Sequence, residues 1–125
     1  MRFGILSTAN IGQKAVIPGI RTAGHEVTAI ASRSAERAEM VATDLDIDRA
    51  YGSYEALLAD ETLDAVYVPL PNAHHDEWAR KAADTGLDVL CEKPLAVDAE
   101  EARALGDHCD DAGVTLMEAF MYRFH

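Results

Sequence analysis

The chain has 125 residues and 49% apolar composition, enough for one domain with a real core and too short for two large ones. Its formal net charge of -11 excludes a phosphate-rich partner such as nucleic acid, and it has no run of about 18 apolar residues that could span a membrane. Lysine occurs only at Lys14, Lys81 and Lys93. That Lys-poor, Asp-rich surface fits either the proteins of a salt-loving cytoplasm or an ordinary acidic protein. The N-terminus shows no secretory signal pattern, and Cys91 and Cys109 form no C-x-x-C pair. A reduced, cytoplasmic chain without a metal site is therefore expected.

In chain order, Arg2–Leu6 reads as a short apolar strand, and Ser7–Gly12 as a loop of small residues. A helix follows to about Ala23. Pro18 lies inside it and marks either a kink or a fresh helix start. Glu26–Ala31 is a second strand. Ala35, Ala38, Val41, Ala42 and Leu45 then recur at helical spacing. Arg49–Tyr51 fits a short strand, and Tyr54, Leu57 and Leu58 mark a short helix. Ala65–Val68 is an apolar strand closed by Pro69 and Pro71. Asn72 is a candidate N-cap for a helix whose face carries Trp78, Ala79, Ala82 and Ala83, with Gly86 at its C-terminal end. Leu87–Cys91 is a strand. Asp98 and Glu101 resemble a capping box for a helix bearing Ala102, Leu105, Cys109 and Ala112. Gly113 ends it, and Val114–Met117 is the last strand. Strands separated by single helices predict an α/β fold, a Rossmann-type, doubly wound parallel sheet covered on both faces.

In such sheets ligands bind beyond the carboxyl ends of the strands. The dinucleotide pattern G-x-G-x-x-G would fall on Ser7, Ala9 and Gly12, and only Gly12 is glycine. Ser and Ala are the smallest substitutes. The N–H groups of the loop Ser7, Thr8, Ala9, Asn10, Ile11 and Gly12 could still hold a pyrophosphate, and the same residues could equally form a plain strand-to-helix turn. Cofactor choice is read at the tip of the second strand. NAD-binding domains carry a carboxylate there for the ribose 2′-hydroxyl, whereas this chain has Ser32-Arg33-Ser34. Arg binds a 2′-phosphate with charged, paired hydrogen bonds. Ser32 and Arg33, with Arg37 one turn on, therefore predict NADP, with NAD as the alternative. The competing reading is that Ser34 caps the next helix while Arg33 is solvated.

Two further segments carry candidate chemistry. Cys91-Glu92-Lys93-Pro94 closes a strand, where Lys93 could move a substrate proton and Glu92 orient it, or both could be solvated charges in a turn. In Pro69-Leu70-Pro71-Asn72-Ala73-His74-His75, Asn72 either contacts cofactor or substrate or simply caps a helix.

The loop Gly4–Gly12, the tip Ala31-Ser32-Arg33, the turn Pro71–His75, the segment Glu92-Lys93-Pro94-Leu95 and the ending Glu118–His125 occur together and in order. In that combination the chain resembles the glucose–fructose oxidoreductase, inositol dehydrogenase and MocA family over essentially its whole length. The resemblance implies an NAD(P)-dependent oxidoreductase acting on a sugar, polyol or related compound. It implies that Lys93 matches the catalytic lysine, with Glu92 and Pro94 as its neighbours. It implies that Pro71, Asn72 and His75, beside Pro69, form the loop near the nicotinamide. The glycine-poor first loop departs from the commoner pattern. Family members also carry a C-terminal α/β domain that completes the substrate site and often the subunit interface. No counterpart is seen here, so residues 1–125 are expected to be the dinucleotide-binding domain of a truncated or excised product. Residues from about 118 would begin the connection to that second domain. Two other classes stay open: a non-catalytic nucleotide-binding or regulatory module, and a methyl transferase using S-adenosylmethionine.

Overall fold

A computed structural model describes residues 1–6, 17–68, 72–91 and 99–118. The elements are β1 (Arg2–Ile5), α1 (Ile17–Thr22), β2 (Glu26–Ala31), α2 (Ala35–Asp44), β3 (Arg49–Tyr51), α3 (Tyr54–Leu58), β4 (Ala65–Val68), α4 (Asn72–Asp84), β5 (Asp88–Cys91), α5 (Ala99–Ala112) and β6 (Leu116–Glu118). The strands form one six-stranded sheet in the order β3-β2-β1-β4-β5-β6, and every pairing is parallel. The chain winds outward from β1 to β3, returns to the centre, and winds outward again from β4 to β6. Crossovers of one hand then put the helices of the two halves on opposite faces of the sheet.

The strand periodicity shows this directly. On β4, Ala65 and Tyr67 join the cluster with Ile17, Ile20 and Ala42, beneath α1 and α2. Val66 and Val68 join Tyr54, Leu57, Trp78, Ala79, Leu105 and Cys109, beneath α3, α4 and α5. Both faces of β4 are buried, which is why it reads as an unbroken apolar run.

Two local features fix β2 against β1. Phe3 pairs with Val27 but Gly4 pairs with Ala29, so Thr28 is an extra residue in β2, a β-bulge. The bulge reverses the facing of the strand. Val27 packs with the α1–α2 cluster and Ala29 with the opposite one. The buried Thr28 hydroxyl has no hydrogen-bond partner among the described residues. Gly4 lies under α3, where a Cβ would come within 2.8 Å of a Leu63 methyl and 2.9 Å of a Leu57 methyl.

Each described helix that leads straight into a strand ends the same way. At α4, Gly86 is left-handed, its N–H bonds the Ala83 carbonyl, and the Leu87 N–H bonds that of Ala82. This is a Schellman closure. It recurs after α1 at Gly24 and after α5 at Gly113, while α2 uses Asp46, with φ 55°. The closure explains two boundary corrections. Leu87 and Val114, expected in strands, donate their N–H groups to helix carbonyls instead, so β5 starts at Asp88 and β6 at Leu116. Pro18 lies within α1, and the segment before Ile17, on which the expected kink or fresh helix start depends, lies outside the described residues. Asn72 is corrected from N-cap to first residue of α4. The restriction imposed by Pro71 falls on the residue before it, which leaves Asn72 free to take helical geometry. The proposed cap Asp98 lies outside the described residues.

Among the described residues no helix is long and apolar enough to cross a membrane.

Candidate functional site

The strand order reverses between β1 and β4, which are neighbours. Their outgoing chains lead to opposite halves of the sheet and leave a crevice at the carboxyl edge. The last rung there is the Leu6 N–H to the Tyr67 carbonyl at 3.0 Å. Every segment singled out in the sequence leaves from this edge. Ser7–Gly12 follows β1, Ser32 and Arg33 follow β2, Pro69 to His75 follow β4, and Glu92 and Lys93 follow β5. These four strands are adjacent, and three strand spacings amount to about 14 Å. An extended ligand laid across the edge could touch all four loops. Ser7, Thr8, Ala9, Asn10, Ile11, Gly12, Pro69, Pro71, Glu92, Lys93 and Pro94 themselves lie outside the described residues. For Asn72 and His75 only the backbone is described, within α4.

The β2 tip is described in full. The Ser32 N–H bonds the Tyr51 carbonyl at 3.0 Å, which ties the tip to β3. Its hydroxyl accepts from the Ser34 N–H at 3.3 Å, and Ser32 is buried. Ser34 is the N-cap of α2: its hydroxyl accepts from the Arg37 N–H at 3.2 Å. The competing reading holds in two points, since Ser34 caps the helix and Arg33 is exposed. Arg33 is nevertheless not simply solvated. Its guanidinium carbon sits 5.9 Å from the centre of the Tyr54 ring, a cation–π contact. No carboxylate stands at the strand tip, although Glu36 occupies the first turn of α2. Arg37 lines a shallow groove of about 410 Å³ with Ser34, Glu36, Met40 and Val41.

The surroundings of the tip include residues that sequence reasoning missed. Gly52 lets β3 approach α2, since a Cβ there would sit 3.0 Å from the Ala35 Cβ. Ser53 caps α3 through the Ala56 N–H at 3.1 Å, which sets Tyr54 at the start of that helix. The only signal was Gly-Ser-Tyr directly after a strand. Trp78, read as one residue of an apolar face, meets Tyr54 edge-on at 5.1 Å. Another groove, of about 350 Å³, lies between α3 and α4, lined by Leu58, Trp78, Lys81, Asp84 and Thr85 among others. Asp84 and Thr85 lead into the amino end of β5, so part of it lies far from the carboxyl edge.

Cys109 is buried, and burial pushes its thiol pKa up, so it is an inert core residue. Among the described residues no group of His, Cys, Asp or Glu side chains is arranged to hold a metal.

Comparison with known proteins agrees with this geometry. Residues 1–120 match the family model described as an oxidoreductase family with an NAD-binding Rossmann fold. The chain is 65% identical over its full length to a D-xylose 1-dehydrogenase (NADP(+)) of Haloferax volcanii, and covers 38% of that protein. It is 36% identical to a dTDP-3,4-didehydro-2,6-dideoxy-alpha-D-glucose 3-reductase of Streptomyces violaceoruber, covering 36% of it. Among solved structures, a 3-ketoreductase from Actinomadura kijaniata in complex with NADP matches with a TM-score of 0.90 and 39% identity, over 100% of this chain and 40% of that one. The chain thus spans a little over a third of the length of the relatives it matches. Sheet order, the ligand crevice at its reversal and the match over residues 1–120 converge: the chain belongs to the oxidoreductase family built on an NAD-binding Rossmann fold.

Proposed function

We propose that this chain is the NADP-binding part of an oxidoreductase that moves hydride between a sugar or polyol carbon and nicotinamide. The observation that carries the cofactor choice is the β2 tip. It presents an exposed arginine and no carboxylate, so a 2′-phosphate meets a cation and no opposing charge from the tip itself. The relatives named for NADP and for sugar substrates support the same reading.

The fit is one of position. Ser32 and Arg33, with Arg37 on the next turn, would hold the adenosine end of the dinucleotide at β2. The loop Ser7–Gly12 would hold the pyrophosphate. Pro69, Pro71, Asn72 and His75 would hold the nicotinamide end, towards β4 and β5. When bound, the cofactor supplies the hydride acceptor or donor. Lys93 moves the proton of the substrate hydroxyl, and Glu92 orients the ammonium group. The substrate wall opposite Lys93 comes from outside this chain, as does any subunit interface. The protein works in the cytoplasm, and its partners are small molecules rather than nucleic acid.

Titration of NADPH and NADH tests the cofactor claim. Arg33→Ala should lower the NADPH to NADH affinity ratio by roughly 10- to 100-fold, the worth of a charged hydrogen-bonded contact. An unchanged ratio removes Arg33 from cofactor selection. In the catalytically complete protein, Lys93→Met should cut kcat by about 10²- to 10⁴-fold while NADPH still binds. Full turnover in that variant would show that Lys93 is not the proton-transfer residue.

A further inference from the structure

We propose that Tyr54, seated on Trp78, is a positioning residue for Arg33 and through it a determinant of NADP over NAD. This rests on the reading of Arg33 as the 2′-phosphate ligand. The two residues are far apart in sequence, and the fold brings them together. Arg33 leaves the carboxyl end of β2. Tyr54 opens α3, two residues beyond Gly52 and held by the Ser53 cap. β3 joins the two, because the Ser32 N–H bonds the Tyr51 carbonyl.

The platform is rigid from below. The Tyr54 ring is 8% exposed and stands at 84° to the Trp78 ring, edge to face, with centres 5.1 Å apart. Trp78 is 6% exposed and carries the Lys81 ammonium 4.4 Å from its ring centre. Lys81 is in turn paired with Glu77 at 3.1 Å. Arg33 is the only member of this stack at the β2 tip, and it has no hydrogen bond to another described residue.

The contact sets the sign of the effect. The Arg33 guanidinium carbon lies 5.9 Å from the Tyr54 ring centre, at the outer reach of a cation–π attraction. That attraction acts on the charge as a whole and uses none of the five N–H donors as a hydrogen bond, so they stay available to an anion. An arginine already held beside Tyr54 loses less rotamer freedom when the phosphate arrives, which strengthens binding. NAD has no 2′-phosphate and gains nothing from this.

The test is fluorescence titration of the full chain with NADPH and with NADH, beside thermal melting. Tyr54→Leu should weaken NADPH about 2- to 5-fold, the worth of a partly exposed cation–π contact, and leave NADH unchanged. Tyr54→Phe should keep the wild-type ratio. Pentafluorophenylalanine at position 54 keeps the ring shape but removes the negative potential of its face, and should lose the ratio as leucine does. The pair Arg33→Ala/Tyr54→Leu should show the same ratio as Arg33→Ala alone. If Tyr54→Leu fails to fold, the comparison of phenylalanine with its fluorinated form carries the test. Equal weakening of both cofactors, or a fluorinated ring that keeps the ratio, would overturn the proposal. An Arg33→Ala ratio that moves while the Tyr54 variants do not overturns the platform alone. An Arg33→Ala ratio that does not move overturns the platform together with the cofactor reading beneath it.

Discussion

Asp60 is held from several sides. Tyr51 donates its hydroxyl at 2.7 Å, the Thr62 N–H and hydroxyl donate at 2.9 and 2.6 Å, and Arg49 lies at 3.3 Å. Burial alone would raise the Asp60 pKa. The hydrogen bonds from Thr62 and Tyr51 and the Arg49 charge outweigh it and hold the carboxyl below its ordinary value. The same burial, with Asp60 alongside, pushes the Tyr51 hydroxyl up. Because the folded pKa of Asp60 is depressed, its stabilisation is present above the unfolded value of about 3.9 and is lost as pH falls through the folded value. Melting temperature should therefore drop on acidification below about pH 4. Asp60→Asn should lower it at pH 7 and shrink the acid-side drop, as read by circular dichroism melts across pH 2–7. A variant with an unaltered pH profile would remove Asp60 from acid sensitivity. At this scale the sequence showed half of the site. Arg33 stood out because a strand tip without a carboxylate is a local pattern. Tyr54 did not, since its contact with Arg33 depends on β3 bringing α3 beside β2. Tyr51, Asp60 and Thr62 were equally silent, because their bonds join an edge strand to a distant turn.

The elements were legible because each is locally consistent. Apolar runs bounded by turn residues became strands, and Ser34 and Ser53 cap helices that their neighbours already favoured. The boundaries were less legible, for one recurring reason. Leu87 and Val114 are apolar residues next to a glycine, which is the pattern of a strand start. They are also the pattern of a Schellman closure, where the apolar residue after the glycine packs back on the helix. Sequence periodicity cannot separate the two. Asp46 is the odd member of that set, since a side chain in the left-handed region costs energy that glycine avoids. Its carboxylate is not needed for the bonds at that end, which are made by backbone groups, including the Leu45 and Asp46 carbonyls that Arg21 contacts. Asp46→Gly should therefore raise stability by about 0.5–1 kcal/mol, measured by urea unfolding. A loss of stability would mean that the carboxylate itself does something at this turn.

For the whole molecule, the parallel, doubly wound sheet followed from the alternation of strands and single helices. The order β3-β2-β1-β4-β5-β6, which sets the strands that precede the scattered motifs side by side, was not written in the periodicity, because spacing within a strand or helix does not say which strands are neighbours. The charge adds a molecular property that no single residue carries. At a net charge of -11 the folded chain repels itself, and salt screens that repulsion with a Debye length of about 3 Å at 1 M. Melting temperature should rise steadily as KCl is raised from 0.1 to 2 M at pH 7. A flat or falling curve would show that the acidic surface is balanced by contacts that salt also weakens. The bulge at Thr28 has a consequence at this same scale. It is the one extra residue that sets the phase of β2, and the strand runs on from it to Ser32. The orientation of the β2 tip, where we propose the cofactor is selected, thus depends on the number of residues between this bulge and Ser32. Exchange of β2 segments between relatives would preserve ligand preference only where the number of residues between bulge and tip is kept. A one-residue deletion at Thr28 would only remove the bulge and leave the tip facing as it does, because Val27 and Ala29 already pair with consecutive residues of β1, whereas a one-residue deletion between Ala29 and Ser32 would turn the tip over.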